Sequence, residues 1–184
     1  VGLVAGGYFG GSFHSRLNQN LRVQRGLTYG AWGRFLPKTR AGTFEISTFT
    51  KNESVRETIQ VILEEIRKFR SVKPTDAEFY DTRSYIIGSF ARNRETPQDV
   101  AGDLWLIESQ QLNRNYFRKL IEALQDMSKA DCVNLAKKAV HPEKATIVVV
   151  GDAEALQDSL ESIAPVQIID IEKDIRQETK SAIS

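Results

Sequence analysis

Cysteine occurs once, methionine once and histidine twice in these 184 residues. The single cysteine, Cys132, excludes an intramolecular disulfide and a thiolate zinc cluster. It also leaves the compartment undecided between a bacterial periplasm and a cytoplasm. Charge of one sign is missing too: 25 Lys and Arg stand against 24 Asp and Glu, for a net charge of +1. Such a balance offers no electrostatic footprint for nucleic acid or an anionic membrane surface. No apolar run approaches the roughly 18 residues that span a bilayer, and no basic stretch precedes an apolar one as in a signal peptide. With 12 Gly and 5 Pro, the chain has too little of either for a low-complexity segment. What is there, 41% hydrophobic and 27% charged residues, is the composition of one folded domain of generous length. The sequence starts at Val1 with an apolar stretch over residues 1–11 that reads as core. The expectation is a piece of a longer protein.

Residues 1–25 read as helical, interrupted by Gly6, Gly7, Gly10 and Gly11, with Leu3, Tyr8, Phe9 and Phe13 as bulk. A second helical stretch covers 15–25, and Gly26 stands where a left-handed cap is expected. Residues 29–35 and 42–50 read as a hairpin joined through 36–40. Phe44, Ile46 and Thr48 share one face of its second strand, while Glu45, Ser47 and Phe49 share the other. The period then turns helical, with Val55, Ile59, Ile62, Leu63, Ile66 and Phe69 as a core-facing stripe. Thr75 and Glu78 make a capping box for a helix carrying Phe79, Ile86 and Phe90. Thr96-Pro97 opens another, with Val100, Leu104 and Ile107. Residues 116–125 form a further helix, and Ser128 with Asp131 caps one holding Val133, Leu135 and Val140. Residues 145–150 read as a short buried strand closed by Gly151, and Asp152 caps a last helix with Leu156, Leu160 and Ile163. The predicted fold class is α+β, a mostly antiparallel sheet packed on one face by several helices. The domain spans residues 1–170, and a polar tail or linker follows over 171–184.

The residues alone assemble no complete catalytic machinery. His14 is followed by Ser15-Arg16-Leu17-Asn18 and His141 by Pro142-Glu143-Lys144-Ala145, so neither makes H-E-x-x-H or H-x-x-E-H. A zinc site needs three or four ligands in reach, so surface or capping roles are expected for both histidines and no metal site for the chain. Cys132 reads as a small semi-buried side chain at a helix start rather than a lowered-pKa thiol. The run Gly6-Gly7-Tyr8-Phe9-Gly10-Gly11 lacks the spacing, the Lys and the preceding strand of a phosphate loop. Close helix packing or a bend explains it. Gly151-Asp152 is strand-to-helix turn chemistry, and Glu45, Glu64 and Glu65 read as solvated.

One segment goes further. Gly10-Gly11-Ser12-Phe13-His14-Ser15-Arg16-Leu17, continuing through Leu21-Arg22 to Gly26-Leu27-Thr28-Tyr29-Gly30, resembles the pitrilysin or insulinase type of zinc peptidase. The likeness is to mitochondrial-processing-peptidase-like members, and to their C-terminal non-zinc homology domain in particular. Thr50 and Asn52, the start at Pro74 to Glu78, Gly88-Ser89-Phe90 with Glu95-Thr96, and Pro142 leading to Gly151-Asp152 agree with it. The resemblance covers about residues 3–170 and is most specific between Gly10 and Gly30.

The resemblance implies two homologous α+β halves, in one chain or as two subunits, closing around a peptide substrate. One half binds Zn2+ through H-x-x-E-H and a downstream glutamate and activates water. The other supplies an arginine and a tyrosine seven apart that hold the substrate, and these positions match Arg22 and Tyr29. This chain is then the non-catalytic, substrate-binding half, inactive alone, with no cofactor of its own and Zn2+ in its partner. Both side chains are expected to point into one cavity. The plainer alternatives are an arginine facing a helix dipole and a tyrosine packed at a strand start. Arg25, Ser15 and Arg16 are expected to orient the helix and turn. Domains of this type begin with a strand ahead of the helix at Val1, which this sequence lacks, leaving a sheet position to be filled or exposed. Two other readings stay open: an inert assembly module like the core proteins of the respiratory cytochrome bc complex, and a stand-alone peptide-binding domain using a free sheet edge.

Overall fold

The computed structural model describes residues 1–37, 42–92 and 94–170. Helix α1 (Gly2–Gly10) leads through a turn to α2 (Arg16–Asn18) and a π-helical turn over Gln19–Gln24. Strands β1 (Ala31–Leu36) and β2 (Thr43–Thr48) follow, then α3 (Val55–Ser71) and α4 (Asp76–Arg92). Helices α5 (Pro97–Ser109), α6 (Tyr116–Asp126), α7 (Lys129–Ala139) and α8 (Ala153–Glu161) complete the order. The loop expected at 36–40 lies partly outside the described residues, and the tail at 171–184 lies wholly outside them.

An aromatic cluster ties the hairpin to the helices. The Phe9 ring from α1 lies 4.5 Å from Phe69 of α3 and 5.4 Å from Phe44 of β2, and Phe35 of β1 lies 4.6 Å from Phe44. Phe9 and Phe69 are fully buried, each contributing about 1.5–3 kcal/mol by leaving water. Close approach between α1 and β1 needs glycine. A Cβ at Gly10 would sit 2.3 Å from the Gly33 nitrogen, and Gly10 makes an isolated antiparallel bridge to Gly33. The glycine run is therefore packing, as expected.

The local signals are realised where a single turn decides them. Thr75 and Glu78 form the capping box of α4, with amide-to-side-chain distances of 2.7 and 3.2 Å. Thr96 with Asp99, and Ser128 with Asp131, form two more. Asp152 caps α8 by accepting from the amides of Glu154 and Ala155. Along α3, Val55, Ile59, Ile66 and Phe69 are buried.

Four expectations are corrected. The sheet is not the dominant layer: among the described residues it has two antiparallel strands, Ala31 opposite Thr48 through Leu36 opposite Thr43, within a mainly helical molecule. Residues 145–150 are extended but pair with no strand among the described residues, and Val148 and Val150 are 81% and 86% exposed. β-propensity there is high, but a strand also needs a neighbour. The stretch 15–25 keeps only three α-helical residues before it widens. On α5, Val100 and Leu104 are exposed and Ile107 alone of the expected three is buried.

Candidate functional site

The widened turn carries Arg22. Leu27 N donates to Leu21 O at 2.8 Å and Gly26 N to Arg22 O at 3.2 Å, closing the π-helical stretch. Gly26 takes φ of +64°, the left-handed cap foreseen for it. Such turns occur often at functional positions because they re-aim side chains. The chain then runs through Leu27 and Thr28 to Tyr29, just ahead of β1.

That connection is clamped. Buried Asn18 accepts from Ala31 N and donates to Ala31 O, both at 2.9 Å, and donates to Ser12 O at 2.9 Å. Thr28 Oγ1 accepts from Gly30 N at 3.1 Å, and Thr48 Oγ1 lies 3.1 Å from Thr28 Oγ1 and 3.0 Å from Gly30 O. Thr50 Oγ1 donates to Leu27 O at 2.6 Å. The sequence reading gave Asn18, Thr28 and Thr48 no role of their own. The usable signal was Asn18 itself, a polar residue between Leu17 and Leu21 on a buried turn.

Ion pairs anchor the helical side. Arg16 meets Glu78 through two bonds, Nε to Oε1 at 2.6 Å and Nη2 to Oε2 at 3.0 Å, joining α2 to the cap of α4. Burial pushes the Glu78 carboxyl up, but the Arg16 guanidinium and the Thr75 amide outweigh it and hold it below the usual range. Arg25 donates to Asn20 and pairs with Glu57. Asn20 donates in turn to Glu65 at 2.9 Å. Glu65, expected in solvent, is 5% exposed and also pairs with Lys68. Asn20 comes from another element, so the pattern of α3 itself gave no sign of that contact.

Arg22 and Tyr29 stand on the surface of this frame. The Arg22 guanidinium lies 4.7 Å from the centroid of the Phe13 ring. Tyr29 is 83% exposed and stacks on Phe49 at 6.5 Å. Among the described residues neither makes a side-chain hydrogen bond or ion pair, and no hydrogen bond or ring contact joins the two. Within this chain neither lines the large groove beside β2 or the small hollow at Arg16 and Lys68. Each is exposed beside an exposed aromatic ring, Arg22 at Phe13 and Tyr29 at Phe49.

The histidines do not fit a zinc ion. His14 packs edge-on to Phe13, while His141 spends both ring nitrogens, on Glu143 Oε1 and Lys138 O. No group of three or more His, Cys, Asp or Glu able to hold a metal occurs among the described residues. Cys132 is fully buried, and desolvation pushes its thiol up to about 11, away from thiolate chemistry. No helix among the described residues is long and apolar enough to cross a membrane.

Comparison with known proteins agrees with this geometry. No curated protein matches the chain. The peptidase M16 inactive domain from Pseudomonas fluorescens shares the fold over 78% of this chain, with TM-score 0.72 and 24% identity. A protease from Helicobacter pylori does so over 73%, with TM-score 0.59 and 21% identity. Complex III2 from Candida albicans does so over 74%, with TM-score 0.63 and 14% identity. At these identities the likeness is one of fold. The chain spans about a third of each, 34%, 32% and 35% of their lengths. A family model described as the Peptidase M16 inactive domain matches residues 2–85, which include the Gly10 to Gly30 motif with both Arg22 and Tyr29. Over residues 2–85 the chain is thus similar to the Peptidase M16 inactive domain.

Proposed function

We propose that this chain is the substrate-binding, non-catalytic half of a zinc endopeptidase and holds a peptide against a zinc-bearing half supplied by another domain or subunit. The observation that carries the reading is the state of Arg22 and Tyr29. Both lie inside the matched family segment, both have every side-chain hydrogen-bonding group free among the described residues, and both rise from a clamped backbone. A surface arginine resting on Phe13 keeps its N–H donors available, because a ring face takes none of them in line. Its paired donors suit a peptide carbonyl or a terminal carboxylate. The Tyr29 phenol donates to a carbonyl oxygen that gains negative charge as the peptide bond is attacked. The attacking chemistry belongs to the other half, and no step of it is assigned to residues of this chain.

A second reading, a structural module of a larger assembly, is favoured by one feature. Tyr85, Leu104 and Trp105 of α4 and α5 are largely exposed apolar residues of the kind that permanent interfaces cover. Zinc content and cleavage decide whether this half is catalytic. The purified chain is expected to bind no stoichiometric zinc and to cleave no peptide. One zinc per chain, or peptidase activity without a partner, would overturn the assignment.

A further inference from the structure

Thr48, Phe49 and Thr50, where β2 ends, hold the chain around Tyr29. The hairpin ladder closes at Ala31 opposite Thr48. Thr48 Oγ1 lies 3.0 Å from Gly30 O and 3.1 Å from Thr28 Oγ1, and Thr50 Oγ1 donates to Leu27 O at 2.6 Å. These hydroxyls fix the backbone on both sides of Tyr29. Between them in sequence stands Phe49.

Phe49 has no task in the core. It shares the exposed face of its strand with Glu45 and Ser47, is 55% exposed itself and joins neither apolar core cluster. Among the described residues the aromatic ring against it is that of Tyr29, at 6.5 Å with the planes inclined by 26°. This lies within the roughly 4.5–7 Å separation at which ring pairs attract. Phe49 also lines the groove beside β2, which Tyr29 does not.

Tyr29 has little else to lean on. Gly30 carries no side chain, and the Thr28 hydroxyl is engaged with Gly30, accepting from its nitrogen and donating to its oxygen. A fixed backbone does not by itself aim a phenol, because χ1 still has about three staggered wells. A donor to a developing oxyanion must reach within about 2.7–3.1 Å of the place where the charge appears, so a well aimed elsewhere is unproductive. The stack on Phe49 selects one direction for the ring.

We infer that Phe49 is a positioning residue, an exposed ring that aims the Tyr29 phenol at the carbonyl oxygen of a bound peptide. The inference rests on the role proposed for Tyr29 and adds the means by which the phenol is aimed. Without the ring, the phenol spreads over about three wells. The productive fraction, and the rate with it, should then fall by about three- to tenfold.

The test is a double-mutant cycle on the assembled peptidase, full-length or two-subunit, reading kcat and KM for peptide cleavage. Phe49→Leu should lower kcat by about three- to tenfold with KM unchanged, because the phenol's bond strengthens only in the transition state. Phe49→Tyr, which keeps a ring to stack on, should keep most of the rate. In the Tyr29→Phe background Phe49→Leu should cost nothing further, since no hydroxyl remains to be aimed. Full turnover by Phe49→Leu, or an equal loss in both backgrounds, would overturn the positioning role and leave that of Tyr29 standing. A rise in KM alone would overturn it too, placing Phe49 on the substrate. Full turnover by Tyr29→Phe would overturn the role of Tyr29 itself, and the inference with it.

Discussion

Asn18 grips both backbone groups of Ala31, its side-chain amide donating to the oxygen and accepting from the nitrogen at 2.9 Å each. One side chain thereby fixes the distance between the turn that carries Arg22 and the strand start that carries Tyr29. Removing it leaves two groups of a fully buried residue without partners. Asn18→Ala should cost about 2–6 kcal/mol, since each of the two buried unpaired groups costs about 1–3. The check is the urea midpoint at unchanged m-value; a loss below about 0.5 kcal/mol, the range of ordinary surface changes, would remove the clamp from the account.

Glycine substitutions should differ in sign. Gly10→Ala drives a methyl into the backbone of Gly33 and should destabilise by about 1–3 kcal/mol, the range for overpacking. Gly88, inside α4, has nothing within 4 Å of an added Cβ. Gly88→Ala should therefore stabilise, by up to about 1 kcal/mol of helix propensity. Thermal unfolding of the two variants compares them directly.

Acid should weaken the contact between α2 and α4. The folded-state pKa of Glu78 lies below the ordinary 4.5, so the unfolded chain binds the proton first as pH falls. Its contribution is complete above about pH 4.5 and is lost as pH drops through the lower folded value. Glu64 and Glu143 are lowered too and act in the same window, while Asp131, lowered from 3.8, acts below it. Glu78→Gln keeps a side chain able to cap Thr75 while removing the negative charge that faces Arg16. Urea stability of this variant should therefore rise less between pH 3 and 5 than that of the unmutated chain. Parallel curves would contradict the pairing.

Legibility in the sequence followed the range of each interaction. The caps at Thr75 and Glu78, Ser128 and Asp131, and Asp152 involve residues two or three apart, and all were readable. The α3 stripe was readable for the same reason. Residues 145–150 were misread because their pattern of Ile and Val states a preference, whereas pairing depends on a strand from elsewhere in space. Glu65 was misread because its partners Asn20 and Arg25's neighbouring network arrive from the π-helical turn, which itself has no local signature. At the candidate site, the motif located Arg22 and Tyr29, but not the threonine and asparagine clamp beneath them. Nor did it foresee that each would rest exposed on an aromatic ring, Arg22 on Phe13 and Tyr29 on Phe49.

The central claim is that Arg22 and Tyr29 act on a substrate held between two halves rather than on the stability of this one. Both are exposed, so Tyr29→Phe and Arg22→Ala should leave stability within about 0.5 kcal/mol. The deciding measurement is kcat/KM for peptide cleavage by the assembled peptidase, full-length or two-subunit, carrying Tyr29→Phe. The account predicts a fall of about 10²–10³, the cost of losing one donor to a developing oxyanion, with the assembly intact. Turnover equal to that of the unmutated enzyme would contradict it.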